Sequence, residues 1–407
     1  MSNTRIDRRS LVAGAVAASA WGGQAASAQD APVRIGELNS YSRMAAFCLP
    51  YRNAMQLAVE EINAQGGLKS LGARKFEIVF RDDGSTPGDA VRAAEELLTR
   101  ENAAFIAGGF LSNVGLALAD LANQRKTLYV ATEPLTDALT LAQGNPYTFR
   151  IRPNTYMQTR MLVDAVKDKG VKRWAIVAPN YEYGTSAAAA FKRLMTAAVP
   201  GFEVVVEQFP ALGKVEPGPV VGALAQARPD GIFNVLFGAD LPAFVREGNN
   251  RGLFEKRLVA SLLTGEPEYL LPLGDETPEG WIVTGYPADQ IKDGPHGKFI
   301  AAYTAKFNEA PRCGSLLGYV SAHIMRDLIE KAGSTESGKL IAAFNDATFD
   351  SILGPIRMRG LDHQSTFGAW VGETTLNGRT PAMKNWKYVS GEAYLHPEDE
   401  VKAVRKS

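Results

Sequence analysis

The residues most suited to binding a charged group lie at the start of a predicted helix, where Ser112 and Asn113 follow Gly108-Gly109. The free backbone N–H groups and the dipole at a helix N-terminus favour an anion such as a carboxylate. Ser112 is therefore a candidate for holding an anionic group, while a serine at this place can also simply cap the helix.

Patterns that would indicate catalysis or a cofactor are weak. GxxxxGK spacing occurs from Gly333 to Lys339, but Leu340 stands where a phosphate-binding loop needs Ser or Thr, and a helix rather than a strand precedes it. The chain has no GxSxG or HExxH motif, and it contains four His and two Cys. We therefore expect no enzyme activity, no cofactor and no metal site.

The composition fits a globular protein of 407 residues, with 45% hydrophobic and 22% charged residues. Lys and Arg together number 44, and Asp and Glu also number 44. No basic surplus is present to neutralise a polyphosphate backbone, so we expect no nucleic-acid partner. The length predicts at least two domains.

Residues 1–28 have the pattern of an export signal. Arg5, Arg8 and Arg9 precede a weakly apolar stretch over 11–20, and Ala26-Ser27-Ala28 gives a small-x-small cleavage pattern. The twin arginines favour the twin-arginine route, with an ordinary secretory signal as the alternative. We expect a soluble, exported protein in the periplasm.

Strands and helices alternate regularly after the signal. Predicted strands at 33–38, 75–80, 104–107 and 127–131 are separated by amphipathic helices, and the alternation restarts at a helix over 157–169 and continues to a strand at 281–285. This rhythm is typical of α/β proteins with parallel, doubly wound sheets. The sequence thus predicts two α/β units of similar size.

Three motifs point to a family: VEEINAQGGL at 59–68, EIVFRDD at 77–83 and PGDA at 87–90. With them the chain resembles the type I periplasmic solute-binding proteins of ABC importers, specifically the leucine/isoleucine/valine-binding branch for hydrophobic amino acids and amides. The resemblance extends over about residues 31–395. It implies two lobes joined by a hinge of three crossings, with the ligand held between them.

By this resemblance, the first lobe should hold residues 31–150 and 284–355, and the second lobe residues 151–283 and 356–395. Ser112 falls where the family has a serine that binds the ligand carboxylate. The loop with Glu133 and Thr136 corresponds to one that supplies a backbone carbonyl and a Thr hydroxyl. A strict match places Leu135 at the Thr position, which departs from the family pattern.

The second lobe supplies the remaining candidates implied by the resemblance. Tyr183 and Phe237 fall on aromatic positions around the ligand, and Glu266 falls near an acidic group that binds the ligand ammonium. Tyr286 is a candidate for lining the pocket or for the core. The predicted ligand-binding set is Ser112, Glu133, Thr136, Tyr183, Phe237, Glu266 and Tyr286.

The resemblance implies a monomer that delivers a small solute to the membrane permease subunits of an ABC importer. A branched-chain or other hydrophobic amino acid is the leading ligand. An amide, a urea-type compound or an aromatic acid is the alternative within the fold, because Glu133 and Leu135 depart from the amino-acid pattern. A ligand-sensing subunit for a membrane receptor is the alternative of another class. Whether Cys48 and Cys313 form a disulfide is left open.

Overall fold

The computed structural model describes Met1 and residues 31–405, so the predicted export signal, apart from Met1, lies outside the described residues. Fifteen strands and twelve α-helices follow one another in this part of the chain. The strands are β1 Val33–Asn39, β2 Phe76–Asp82, β3 Ile106–Gly108, β4 Tyr129–Ala131, β5 Thr148–Arg150, β6 Arg173–Val177, β7 Glu203–Gln208, β8 Gly231–Asn234, β9 Leu258–Gly265, β10 Ile282–Gly285, β11 Thr348–Phe349, β12 Ile356–Arg359, β13 Gln364–Ser365, β14 Ala369–Asn377 and β15 Thr380–Val389. The helices are α1 Ala45–Ala64, α2 Pro87–Thr99, α3 Ser112–Arg125, α4 Thr155–Val166, α5 Glu182–Ala198, α6 Pro217–Ala227, α7 Asp240–Asn250, α8 Pro267–Leu270, α9 Gly294–Phe307, α10 Cys313–Ala332, α11 Ser337–Phe344 and α12 Glu398–Val404.

The strands form two separate sheets. The first has eight strands in the order β11-β12-β13-β5-β4-β3-β1-β2, and the second has seven in the order β15-β14-β10-β9-β8-β6-β7. The strands from β13 to β2 and from β10 to β7 are parallel, and antiparallel strands complete one edge of each sheet. The predicted α/β class with two doubly wound lobes is confirmed.

The first lobe consists of the eight-stranded sheet with α1–α3 and α9–α11, and the second lobe of the seven-stranded sheet with α4–α8. The chain passes between the sheets three times, at residues 151–154, 286–293 and 366–368. The assignment of residues 356–365 to the second lobe was wrong. β12 and β13 join the first sheet, where Gln364 pairs with Arg150 of β5, and the chain crosses only afterwards.

Local chemistry explains the main helix boundaries. α2 begins where the hydroxyl of Thr86 accepts a hydrogen bond from the N–H of Asp89 at 3.2 Å and Pro87 occupies the first helical position. α1 contains Pro50 in its second turn, although prolines are usually disfavoured inside a helix, so its start at Ala45 is not evident from the sequence.

None of the helices between residues 31 and 405 has the length and hydrophobicity that crossing a bilayer requires. Within the same residues, no cluster of three or more His, Cys, Asp or Glu side chains has the arrangement of a metal site. Cys48 lies in α1 and Cys313 begins α10, and these two helices pack against each other. Both cysteines are nevertheless buried free thiols.

Candidate functional site

A cavity of about 640 Å³ lies between the lobes. Its walls come from loops that follow the carboxyl ends of parallel strands in both sheets, which is where α/β proteins bind their ligands. The first lobe contributes Arg43–Phe47, Ser85, Phe110 and Leu111, and the second contributes Leu212–Lys214, Phe237–Asp240, Pro242, Glu268, Tyr269 and Pro272. We call this space the outer cavity.

A smaller pocket of about 20 Å³ adjoins it, with room for about one water molecule. We call it the inner pocket. It is lined by Phe110, Glu133, Leu135, Arg152, Tyr181, Tyr183, Phe237, Leu263 and Tyr269. Three of these residues belong to the first lobe, five to the second, and Arg152 to the first crossing.

Phe237 is the centre of the aromatic lining. Its ring centroid lies 5.6 Å from that of Tyr183, 5.8 Å from that of Tyr269 and 6.5 Å from that of Tyr181, all in the second lobe. It also lies 6.3 Å from the ring of Phe110 in the first lobe. These distances are those of favourable aromatic pairs. Aromatic contact therefore already spans the interface between the lobes.

Glu133 brings a carboxyl group into this apolar lining. It follows β4 and is 1% exposed. One carboxyl oxygen accepts a hydrogen bond from the Asn39 side chain at 2.9 Å, and the other, Oε1, has no hydrogen-bond partner among the described residues. Burial raises the pKa of Glu133 to about 8, although the Asn39 hydrogen bond and the nearby Arg152 act in the opposite direction.

Arg152 is the cation of the inner pocket, and Glu266 is its partner. Both side chains are 4% exposed, and a guanidinium nitrogen donates to Oε1 of Glu266. The guanidinium also lies 5.2 Å from the ring centroid of Phe47, at cation–π distance. Burial opposes the charge of Arg152, but the Glu266 carboxylate outweighs it, and the pKa of Arg152 is raised overall.

The two hydroxyls expected to hold a ligand carboxylate are engaged within the protein. Leu111 is the N-cap of α3, and Ser112 is its first residue. The Ser112 hydroxyl accepts the N–H groups of Leu135 and Thr136 at 3.3 and 3.2 Å. The Thr136 hydroxyl donates to Glu182 of the second lobe at 2.8 Å. Neither side chain lines the outer cavity or the inner pocket.

The structure brings together three of the seven predicted residues, Glu133, Tyr183 and Phe237, around the inner pocket. Glu266 reaches this group through Arg152. Tyr286 does not line either space: it is 1% exposed, and its hydroxyl lies 2.7 Å from Nε2 of His296. The ligand contacts of all seven stay predictions.

Sequence reasoning missed Arg152, Phe110, Tyr181 and Tyr269. Arg152 had a recognisable signal, because it is a charged residue between Ile151 and Pro153, at the expected boundary of the lobes. The three aromatic residues had no comparable signal, since aromatic side chains in loops after strands are common in cores as well.

The chain matches the family model described as periplasmic binding protein over residues 32–379. Among curated proteins, it is 26% identical to the Leu/Ile/Val-binding protein homolog 7 of Brucella melitensis, over 92% of each chain. It is also 26% identical to the homolog 7 of Brucella suis, over 79% of this chain and 82% of that protein.

Solved structures share the fold. A solute-binding protein of an ABC transporter from Rhodopseudomonas palustris BisB5, in complex with 3,4-dihydroxybenzoic acid, superimposes with a TM-score of 0.77 at 22% identity, covering 88% of this chain and 96% of that chain. The leucine-, isoleucine-, valine-, threonine- and alanine-binding protein from Brucella ovis, in a closed conformation, gives 0.77 at 21% identity, covering 90% and 97%. Proteins of this fold thus bind both amino acids and aromatic acids.

Proposed function

Because the chain belongs to the periplasmic binding protein family, the solute-binding proteins of ABC transporters, we propose that it captures a hydrophobic amino acid between its lobes. The observation that carries this proposal is the unpartnered Oε1 of Glu133 within an aromatic pocket. The named relatives, homologues of Leu/Ile/Val-binding proteins, support the same ligand class.

The lining fits the two ends of such a ligand. The aromatic rings and Leu135 and Leu263 offer an apolar surface for a hydrophobic side chain. An ammonium group placed at Glu133 would supply the counter-charge that this buried carboxyl lacks, and charge-assisted hydrogen bonds are among the strong ones. Arg152, already paired with Glu266, would face the ligand carboxylate.

Binding requires the lobes to move. The inner pocket holds no more than about one water, so an amino acid fits only after Phe110 and Phe237, which face each other across the cleft, draw apart. Closure around the ligand would then restore contact between the lobes. A ligand that contacts both lobes favours the closed state by its differential affinity for that state.

Contacts across the cleft already favour closure. The Glu268 carboxylate of the second lobe accepts the backbone N–H groups of Cys313 and Gly314, at 3.1 and 2.6 Å, where α10 of the first lobe begins. A carboxylate at a helix N-terminus is a favourable arrangement. We propose that the ligand adds to these contacts and that the closed form is recognised by the permease subunits of an importer.

An aromatic acid is the second candidate. It is favoured by the five aromatic rings of the inner pocket and by the engagement of Ser112 and Thr136 in internal hydrogen bonds, which leaves fewer groups for an α-amino acid. The dihydroxybenzoate complex of a protein with the same fold points in the same direction. In this case the ligand carboxylate would lie near Arg152, and the protonated carboxyl of Glu133 would donate a hydrogen bond to the ligand.

Calorimetry with L-leucine, L-phenylalanine and benzoate separates the candidates, with Glu133→Gln as the test variant. Loss of a hydrogen bond to a charged group costs ~1.5–3 kcal/mol, so amino-acid affinity should fall roughly 10- to 150-fold. Glu37→Gln is the matched control, because Glu37 is equally buried and shares the Asn39 partner but does not line the inner pocket.

The pH dependence of ligand affinity distinguishes the two ligand classes independently. Ligand-free Glu133 holds its proton below a pH of about 8. An ammonium ligand needs the ionised carboxyl, so its affinity should rise as the pH increases from 6 to 8, whereas benzoate affinity should fall over the same range. If no ligand of either class binds, or if Glu133→Gln and Glu37→Gln behave alike, the proposed pocket is wrong.

We further propose that the protein acts in the periplasm. The twin arginines and the Ala26-Ser27-Ala28 pattern support export, and the family match supports a role outside the cytoplasmic membrane. Fractionation of cells that produce the full chain, compared with the double variant Arg8→Lys with Arg9→Lys, tests the route. Unchanged periplasmic yield of the variant would exclude the twin-arginine route.

A further inference from the structure

The last described segment of the chain lies across both lobes. Residues 390–405, which we call the C-terminal strap, follow the last strand of the second sheet and include α12. The match to the family model ends at residue 379, before the strap begins. The backbone N–H of Gly391 donates to the carbonyl of Thr366 at 3.1 Å, which fixes the start of the strap to the third crossing.

The middle of the strap packs on the second lobe and also contacts the first. On the first-lobe side, Arg357 of β12 pairs with Glu392 at 2.6 Å, and Arg359 donates to the carbonyl of His396 at 2.9 Å. Leu395 is 7% exposed and packs in one apolar cluster with Tyr156 and Met157 of α4. The ring of His396 stacks on Tyr156 with centroids 3.8 Å apart. Glu400 forms an ion pair with Arg193 of α5 at 2.7 Å.

The end of the strap is held by the first lobe through Arg405. Its guanidinium donates to the carbonyl oxygens of Thr140 at 2.6 Å, Asp362 at 3.0 Å and Asn145 at 3.2 Å. These residues belong to the first lobe: Thr140 and Asn145 lie between β4 and β5, and Asp362 lies between β12 and β13. One planar side chain thus joins the end of α12 to two separate loops of that lobe.

We propose that Arg405 is a positioning residue for lobe closure, because it ties the C-terminal strap to the first lobe and so limits how far the cleft opens. The inference rests on the proposed function, since it assumes that the lobes move about the three crossings. Between Leu395 and Arg405 the strap has a fixed length, and α12 makes most of it stiff. A rotation that separates the lobes must therefore break the contacts of the strap with one lobe, and Arg405 provides three of those with the first lobe.

A limit on how far the cleft opens has a consequence for ligand affinity. A protein whose lobes open only slightly loses less freedom on closing, so more of its intrinsic affinity is realised. A residue that merely stabilised the fold would lower the melting temperature without changing the separation of the lobes. The separation in the ligand-free protein is therefore the informative quantity, and it does not depend on which ligand the protein binds.

The experiment measures this separation by pulsed electron spin resonance on the full chain without added ligand. Spin labels are placed at Arg43→Cys and Lys214→Cys, which are exposed on opposite walls of the outer cavity. The native Cys48 and Cys313 are buried, and burial raises the pKa of both thiols, so they should react slowly with the label. Urea unfolding of each labelled variant reports stability separately.

Arg405→Ala should shift the distance distribution to longer values and broaden it. Lys402→Ala is the matched control, because this substitution also removes one positive charge from the strap, while Lys402 pairs, among the described residues, only with Glu398 of its own helix. It should leave the distribution of the parent unchanged. If Arg405→Ala does not fold, Arg405→Lys replaces it, since a lysine keeps the charge but cannot serve three carbonyls in that arrangement.

A distribution for the folded Arg405 variant that matches the parent overturns the inference, and so does an equal shift in Lys402→Ala. Neither result bears on the ligand, because both are obtained without one. Conversely, failure of every ligand in calorimetry with a widened Arg405→Ala distribution would leave the inference standing and reject only the proposed ligand classes.

Discussion

Replacing Glu133 by glutamine should stabilise the ligand-free protein at alkaline pH. The carboxyl is 1% exposed and its pKa is raised to about 8 in the folded state, against an ordinary value of 4.5. Because the folded state holds the proton more tightly, the stability is greatest below pH 4.5 and falls as the pH rises towards 8. The parent should therefore lose stability over this window, and Glu133→Gln should not.

The size of the effect follows from the same shift. Each pH unit contributes about 1.4 kcal/mol, so the full window corresponds to roughly 5 kcal/mol of lost stability in the parent. The glutamine amide leaves one buried polar group without a partner, which costs about 1–3 kcal/mol at every pH. We expect a net gain of roughly 2–4 kcal/mol for Glu133→Gln near pH 8.5, and a net loss near pH 5.

Urea unfolding of both proteins at pH 5 and pH 8.5, after removal of any bound solute by refolding, measures this difference. The informative quantity is the change with pH in the free energy of unfolding between variant and parent. Glu37→Gln must be measured alongside, because the pKa of Glu37 is also raised by burial. A difference between Glu133→Gln and parent that stays constant from pH 5 to 8.5 would refute the buried, neutral state of Glu133.

Three further predictions concern packing and covalent state. Phe237→Ala should lower the free energy of unfolding by about 3–5 kcal/mol, measured in urea, because a fully buried ring is removed from the centre of the aromatic lining. Ser112→Ala should lower it by about 1–3 kcal/mol in the same assay, since two buried N–H groups lose their acceptor, and an unchanged value would contradict the contacts described. Thiol titration of denatured, unreduced protein should give two free thiols, from Cys48 and Cys313, and none would be found if the pair were oxidised.

The two lobes were predictable because each is built from βα units in chain order, and hydrophobic periodicity reports such local structure. The position of the third crossing was not, because the crossing occupies only residues 366–368 and has no turn or linker pattern of its own. β12 and β13 join the first sheet through partners more than 200 residues away, as in the pairing of Gln364 with Arg150. Strand pairing between residues so far apart in sequence cannot be predicted from the local composition.

The site was predictable only in part, for a related reason. Tyr183 and Phe237 follow strands of the second sheet, and the loops after parallel strands meet at one edge. Whether Ser112 faces a ligand or the backbone of Thr136 depends on the exact path of another loop, which a helix-start pattern does not specify. The pairing of Arg152 with Glu266 likewise depends on how β9 and the first crossing approach each other.

The place of β13 has a consequence for the order of folding. It lies between β5 and β12 in the eight-stranded sheet, so that sheet is complete only after residue 365 has been synthesised. The second sheet in turn waits for β14 and β15, which end at Val389. Long-range pairing of this kind slows folding and lengthens the time during which sheet edges are exposed. Nearly the whole polypeptide must therefore leave the ribosome before either lobe is finished.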